Sequence, residues 1–391
     1  MIILGYIPNI VLPLSTNEIE KIMKILIVGT LPSSLYNFRG QLLKHLTSTN
    51  LEVSALASDA SKEDIKAVEA VGAKYIDYPV SRSGLNPRED FKTFKALQKV
   101  FKAQLPDVIL AYTIKPIIWG GFAARCLPNC RFYALVTGLG FAFQRGNWKK
   151  NLLMKLVVFL YKTALKNADI VIFQNPDNRQ VFIDLGIVPE HKTAVVNGSG
   201  VDIKHFEVRS LPITPKFLLI ARLLGDKGIR EYVKAANIIK QHYPDAVFQL
   251  VGPEDPSPDG ITFQELAKLN NDRAVDYFGA TNDVRPYIEG CNIFVLPSYH
   301  EGLPRTVLEA MATGRPILTT DVPGCRETVI NGENGWLVEK ANVEQLAEKM
   351  IWFIENPNEW QRMAEASRAM VEDKFDVHKV NKELMNIMGL N

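Results

Sequence analysis

The stretch Val295-Leu296-Pro297-Ser298-Tyr299-His300-Glu301-Gly302-Leu303-Pro304-Arg305-Thr306-Val307-Leu308-Glu309-Ala310-Met311 decides how this chain is read. Val295 to Ser298 reads as a buried strand and its exit. Pro304 suits the first position of a helix, where its missing N–H costs nothing. The spacing therefore predicts a strand, a tight turn and a helix. It puts Glu301 in the loop at the strand's carboxyl end and Glu309 more than one turn into the helix. The N–H groups of Gly302 and Leu303 lead into the helix start, where free donors and the positive dipole end suit a phosphate. A carboxylate accepts hydrogen bonds from hydroxyls. Two carboxylates flanking an anion site fit a ligand with hydroxyls on both sides of a phosphate, such as a nucleotide-sugar. The plain alternative is two solvated glutamates on a surface helix. The strand, turn and helix that accompany them argue against it.

A second segment upstream has complementary chemistry. Leu218-Leu219-Ile220-Ala221-Arg222-Leu223-Leu224-Gly225-Asp226-Lys227-Gly228 reads as a strand feeding a loop with two cations, followed by a helix from Ile229. Arginine grips phosphate through two parallel N–H bonds, and lysine adds a movable point charge. Alone, the segment reads equally well as a capped surface loop with an Asp226–Lys227 pair. The carboxylate motif further along favours the diphosphate clamp.

Together these segments resemble the Arg/Lys clamp and the E-x7-E motif of family 4 retaining glycosyltransferases, which have the GT-B fold. The resemblance runs from about Met23 to the C-terminus. It implies that Arg222 and Lys227 hold a donor diphosphate and stabilise the leaving nucleotide. It implies that Glu301 binds the donor sugar and Glu309 the ribose hydroxyls, with Gly302, Leu303 and Pro304 against the donor. No side chain is an obvious covalent nucleophile, which agrees with a front-face mechanism. The expected donor is a UDP-sugar, N-acetylhexosamine first and hexose next. No Asp-x-Asp pattern lies near the clamp, so neither a metal nor another cofactor is expected.

The loop Gly29 to Gly40 follows the first strand, and its small residues let a helix start approach a ligand. It is not a G-x-G-x-x-G pattern, and a plain strand–helix turn reads equally well. In family members this loop lines the cleft near the donor diphosphate, so Gly29 and Arg39 join the candidate donor site. Tyr112-Thr113-Ile114-Lys115-Pro116 and Thr137-Gly138-Leu139-Gly140 end later strands and open on the same cleft. Many family members carry a histidine at the second place, and this segment has none. The pair instead resembles a branch that builds bacterial surface polysaccharides on lipid carriers. The expected acceptor is therefore a polyprenyl-diphosphate-linked saccharide. Lys115, Thr137 and Gly138 are its candidate contacts, and a surface role for Lys115 is the open alternative.

At 391 residues the chain exceeds one hydrophobic core, so two domains are expected. Short apolar strands alternate with helical patterns throughout, which predicts an α/β architecture of two doubly wound domains facing across a cleft. A Gly-, Pro- and Ser-rich break near 197–215 divides residues 23–197, the acceptor-binding domain, from 198–375, the nucleotide-sugar domain. A last helix within 376–391 is expected to cross back to the first domain. Residues 1–22 read as a mis-assigned start or a disordered extension, with a membrane-surface anchor as the alternative. Cys126, Cys130, Cys291 and Cys325 match no zinc spacing and read as reduced thiols of a cytosolic enzyme.

The net charge of +2 hides an asymmetry. From Lys24 to Glu190 there are 22 basic and 13 acidic residues, a balance of +9; from Val201 to Lys374 there are 19 and 26, a balance of −7. No nucleic-acid module accompanies the basic half, so nucleic acid is not expected as a partner. Lys92, Lys95, Lys99 and Lys102 share one helix face, with Phe91, Phe94, Leu97 and Phe101 on the packed side. In the helix Trp148 to Lys166, Lys155, Lys162 and Lys166 form a basic stripe on a mostly apolar surface, with Lys149 and Lys150 near its start. That pattern suits an anionic membrane surface; a buried helix with snorkelling lysines is the alternative. The expected location is the inner face of the cell membrane, held peripherally. Two other functions remain open to the sequence: a UDP-sugar 2-epimerase on the same fold, and a non-catalytic nucleotide-sugar-binding subunit.

Overall fold

The computed structural model describes residues 22–81, 84, 86–140, 143, 148–270 and 273–390, without the side chain of Lys149. The expectations for the leader therefore fall outside the described residues, apart from Ile22. The first half alternates β1 (Met23–Val28), α1 (Pro32–Asn37), α2 (Gly40–Ser48), β2 (Leu51–Ala57), α3 (Lys62–Glu69), β3 (Lys74–Asp77), α4 (Pro87–Gln104), β4 (Val108–Tyr112), α5 (Ile114–Ala124), β5 (Arg131–Val136), α6 (Trp148–Ala164), β6 (Ile170–Phe173), α7 (Pro176–Asp184) and β7 (Thr193–Val195). The second half continues with β8 (Lys216–Ile220), α8 (Ile229–Lys240), β9 (Val247–Val251), α9 (Phe263–Leu269), β10 (Val275–Tyr277), α10 (Arg285–Glu289), β11 (Ile293–Leu296), α11 (Arg305–Ala312), β12 (Ile317–Thr320), β13 (Gly335–Val338), α12 (Val343–Glu355), α13 (Trp360–Met370) and α14 (Val377–Met388). Strands and helices alternate through both halves, as expected.

The strands form two parallel sheets, in the orders β3-β2-β1-β4-β5-β6-β7 and β10-β9-β8-β11-β12-β13. Both orders reverse once, between β1 and β4 and between β8 and β11. Side chains from both faces of each sheet enter apolar clusters beneath helices, as a sheet covered on both sides requires. Ligands of such sheets bind beyond the carboxyl ends of the strands at the reversal. That rule selects the loops after β1, β4, β8 and β11, which contain Gly29 to Leu31, Thr113, Arg222 to Lys227, and Glu301; the expected loop Gly29 to Gly40 is interrupted by α1, so Arg39 lies beyond it as the N-cap of α2.

α14 returns to the first sheet. Leu384, Met385 and Met388 are buried in the core under β1 and β5, each contributing roughly 1.5–3 kcal/mol. The Met388 carbonyl accepts hydrogen bonds from Arg131 Nη1 at 2.8 Å and Tyr133 Oη at 3.1 Å.

Two local expectations need correction. Pro304 is the N-cap of α11, not its first residue; its ψ of 109° is extended, and its carbonyl accepts the N–H groups of Val307 and Leu308. Phe91 does not pack inward: it is 58% exposed, and Lys95 lies over its ring at 5.5 Å. In α6 only one side is core. Val157, Tyr161 and Ala164 are buried, while Trp148, Leu152, Leu156 and Phe159 face solvent.

Candidate active site

Lys227 reaches Glu301 because a glycine lets two loops touch. Gly228 caps α8 with φ +71°, and a Cβ there would lie 2.1 Å from the Pro297 carbonyl. Only glycine tolerates both conditions. The Asp226 carbonyl then accepts hydrogen bonds from Tyr299 N at 2.7 Å and Ser298 Oγ at 3.1 Å, which joins the loop after β8 to the loop after β11. Lys227 Nζ lies 2.6 Å from Glu301 Oε1, both side chains mostly buried. Burial lowers the ammonium pKa, but the charge and hydrogen bond of Glu301, with Asp226 beside them, outweigh it and leave Lys227 above its usual value.

Arg222 is the more open member of the clamp. Its Nη1 pairs with Asp255 Oδ2 in the loop after β9. Burial pushes the Asp255 carboxyl up, but hydrogen bonds from Ser257 and the charge of Arg222 prevail and hold it below the usual carboxylate range. No sequence pattern marks Asp255 as this partner. The same holds for the His300 Nε2–Asp226 Oδ2 contact of 3.5 Å, which closes over the Lys227 turn.

Glu309 is buried on α11, and Arg305 Nε donates to its Oε1 at 2.8 Å. Burial raises its pKa; Arg305 opposes the shift without cancelling it. Both carboxylates of the motif are thus held by a cation, Glu301 by Lys227 and Glu309 by Arg305. Between them, the N–H groups of Gly302 and Leu303 meet no acceptor among the described residues.

The first half supplies the opposite wall. Tyr112, at the end of β4, lies over Gly29 and bonds Ser34 Oγ at 2.7 Å. Thr30 Oγ1 and Thr113 Oγ1 are 2.8 Å apart, joining the loops on either side of the first reversal point. Thr113 holds φ +68°, a conformation that costs a β-branched residue about 1–3 kcal/mol. Arg39 is buried beside Tyr112, its Cζ 5.3 Å from the ring centroid. Lys115 is committed to other partners, with Nζ 2.8 Å from Asp90 Oδ1 and 2.6 Å from Ser81 Oγ.

The two walls meet at the motif. A Cβ on Gly302 would lie 1.9 Å from the Thr137 carbonyl, so glycine permits this approach; Gly138 faces the same backbone. Asn175 Nδ2 donates to the Gly302 carbonyl at 2.5 Å, and Arg326 Nη1 reaches Asp177 Oδ2 at 3.1 Å. The structure therefore gathers Arg222, Lys227, Glu301, Gly302, Leu303, Thr137 and Gly138 around one seam, with Glu309 and Arg305 leading to Phe38 and Arg39. Glu327 was not signalled by the sequence. Its Oε2 is buried without a partner in the turn beyond β12, and burial raises its pKa.

Comparison with known proteins agrees with this arrangement. Residues 24–175 match the family described as glycosyl transferase 4-like, and residues 202–370 match glycosyl transferases group 1. The chain is 32% identical over 348 residues to the N,N'-diacetylbacillosaminyl-diphospho-undecaprenol alpha-1,3-N-acetylgalactosaminyltransferase of Campylobacter jejuni, covering 85% of this chain and 90% of that one. It is 24% identical to the UDP-Gal:alpha-D-GlcNAc-diphosphoundecaprenol alpha-1,3-galactosyltransferase of Escherichia coli, covering 67% and 70%. Among solved structures it superposes on sucrose-phosphate synthase from Thermosynechococcus elongatus with a TM-score of 0.78 at 20% identity, covering 94% and 98%. The fold is GT-B.

Proposed function

The chain belongs to the family 4 glycosyltransferases, and on that premise we propose that it moves a sugar from a UDP-sugar to a polyprenyl-diphosphate-linked saccharide with retention of configuration. N-acetylhexosamine is the first candidate sugar, because the Campylobacter jejuni relative is named for transferring N-acetylgalactosamine. The observation that carries the reading is the placement of Arg222, Lys227 and Glu301 on the two loops at the reversal point of the second sheet, with Glu309 on the helix that follows.

In this reading the donor diphosphate lies at the start of α11, against the N–H groups of Gly302 and Leu303 with Pro304 behind them. Lys227 exchanges Glu301 for the diphosphate, and Glu301 is released to the sugar hydroxyls. Glu309 likewise turns from Arg305 to the ribose. The bond from sugar C1 to the diphosphate oxygen breaks as the bond to the acceptor hydroxyl forms on the same face. The acceptor's proton passes to a phosphate oxygen, and UDP leaves. Arg222 and Lys227 stabilise the charge that grows on the diphosphate. These two cations supply the positive charge, so the reading includes no metal or other cofactor. Gly29 and Arg39 face the donor from the other wall, and Thr137 and Gly138 face the acceptor. Lys115 would act on the acceptor only by giving up Asp90.

A lipid-linked acceptor brings the first half to a membrane. α5 packs between α4 and α6, so the lysines of both outer helices belong to one layer. Trp148, Leu152, Leu156 and Phe159 recur at helical spacing and are exposed beside Lys155, Lys162 and Lys166. Among the described residues no helix is long and apolar enough to cross a membrane. The attachment proposed is peripheral, on anionic lipid at the inner face of the cell membrane.

The test is UDP release from a panel of UDP-sugars, with and without a polyprenyl-diphosphate-linked acceptor. Acceptor-dependent release with an α-linked product supports the reading. Interconversion of the donor sugar without acceptor, or no turnover of any UDP-sugar, defeats it.

A further inference from the structure

The turn between the two glutamates of the second half is held by a side chain of the first. Asn175 is the N-cap of α7 and is fully buried. Its Oδ1 accepts the Asn178 N–H at 2.8 Å, which leaves Nδ2 for the seam. Nδ2 donates to the Gly302 carbonyl at 2.5 Å and lies 3.5 Å from the Glu301 carbonyl. Among the described residues the Gly302 carbonyl accepts no other hydrogen bond. The helix cap therefore sets which way the Asn175 amide points, and the amide sets the Gly302 carbonyl.

A trans peptide is planar, with its C=O and N–H on opposite sides. No peptide among the described residues is cis. Holding the Gly302 carbonyl on Asn175 therefore turns the Leu303 N–H away from Asn175, and that N–H meets no acceptor among the described residues. The hold from the motif's own half stops one residue earlier, where the Glu301 N–H donates to the Pro323 carbonyl at 3.1 Å. Glycine at 302 leaves the backbone free to adopt more than one orientation. Its lack of a Cβ also lets the first half come this close: a Cβ there would lie 1.9 Å from the Thr137 carbonyl and 2.9 Å from Gln174 Oε1. Opening the cleft would withdraw Asn175 and leave the peptide between Gly302 and Leu303 free to turn.

We propose that Asn175 is a positioning residue: from the first half it aims the Gly302–Leu303 peptide of the second, so that the Leu303 N–H faces a donor oxygen only while the two halves are in contact. The proposal rests on reading the turn before α11 as part of a nucleotide-sugar site. It ties the completeness of that site to the state of the cleft. The oxygen that the N–H meets belongs either to a phosphate or to the transferred sugar, and binding measurements separate the two.

The experiment compares the full chain with its Asn175→Ser and Asn175→Asp variants. Both keep an oxygen that can cap α7. Serine is too short to reach Gly302, and aspartate sets a carboxylate oxygen against the Gly302 carbonyl. Each protein is melted without ligand and titrated calorimetrically with uridine, UDP and UDP-N-acetylgalactosamine. Asn175→Ser is expected to melt close to the wild type, because the cap survives. Uridine affinity is expected to be unchanged in both variants, since its proposed partner Glu309 lies within α11. Affinity for the nucleotide-sugar is expected to fall about tenfold in Asn175→Ser, the effect of roughly one hydrogen bond, and further in Asn175→Asp. An equal loss for UDP makes the donor oxygen a phosphate oxygen; a loss confined to the nucleotide-sugar makes it a sugar oxygen. The proposal is overturned if both variants bind the nucleotide-sugar as the wild type does. It is overturned equally if they melt far lower and lose uridine in proportion, which is the behaviour of a cap or packing residue. A wild type that binds none of the three ligands rejects the nucleotide reading and this proposal with it, whereas unchanged variants of a protein that binds them reject this proposal alone.

Discussion

Lys227 Nζ and Glu301 Oε1 stand 2.6 Å apart although 74 residues separate them in the chain. One comes from the loop after β8 and the other from the loop after β11, neighbouring strands across the reversal of the sheet. The pair makes each residue the other's partner in the free protein, so donor binding must exchange one set of contacts for another. Lys227→Ala and Arg222→Ala are each expected to cut turnover by about 10²–10³ at saturating donor, the usual loss for one preorganised charge contact in the transition state. Both variants should also lose stability. Arg222 is itself largely exposed, but each loss leaves a mostly buried carboxylate without its cation, Asp255 or Glu301, at about 1–3 kcal/mol. Initial rates and urea unfolding check both points; near-normal turnover by either variant removes it from the clamp.

Glu309→Ala is expected mainly to raise the donor KM, because ribose recognition far from the reacting carbon is shared by ground and transition states. Glu301→Ala is expected to lower kcat more than it raises KM. Steady-state kinetics with varied donor decide, and equal effects from both substitutions undo this division of roles.

The raised pKa of Glu309 has a sign that stability measurements can read. Burial lifts its folded value above the ordinary carboxylate value of about 4.3. Between those two values the folded state holds more protons than the unfolded state, so this group's contribution to stability falls as pH rises. Stability of the wild type relative to Glu309→Gln is therefore expected to be greatest near pH 4 and to decline toward pH 7. A difference that grows with pH would mean Arg305 outweighs burial. For Lys227, also raised, the stabilising contribution is present below its unfolded value of about 10.4 and is lost only as pH rises through the higher folded value. Lys227→Met should accordingly show a constant difference from the wild type across neutral pH.

On vesicles, binding is expected with anionic lipid, little with neutral lipid, and partial release at high salt. Each lysine near such a surface contributes about 1 kcal/mol. Replacing Lys155, Lys162 and Lys166 by Gln should weaken sedimentation. Replacing the exposed Leu152, Leu156 and Phe159 by Ser should remove the part that survives salt. Binding indifferent to lipid charge, or unaltered by both sets of changes, would leave α6 without a membrane role.

Turnover is expected to survive extensive dialysis against EDTA, since Arg222 and Lys227 provide the charge at the diphosphate. Activity lost on chelation and restored by magnesium or manganese would show that a metal shares that task.

The sequence by itself determined the alternation of strands and helices, the two-part division, and the two motifs. Those features are local: buried parallel strands are continuous apolar runs, and a loop between a strand and a helix has few alternatives once Gly302 or Gly228 is in it. What the sequence did not contain was the choice of partner. Asp255 for Arg222 and Asp90 for Lys115 are polar residues at unremarkable positions, and only packing brought them within reach, whereas Arg305 and Glu309 are four residues apart on one helix. Exposure was likewise decided by the tertiary structure. Phe91 and Phe159 have the composition of core residues, yet their helices turn them outward, because Leu97, Phe101, Val157 and Tyr161 already fill the layer beneath. The same contest buried Arg39. The sequence marks Arg39 as a candidate donor contact, and only the structure shows it buried beside the ring of Tyr112 from the neighbouring strand. Periodicity fixes which face of an element is apolar, but the neighbours supplied by the rest of the chain decide whether that face is covered.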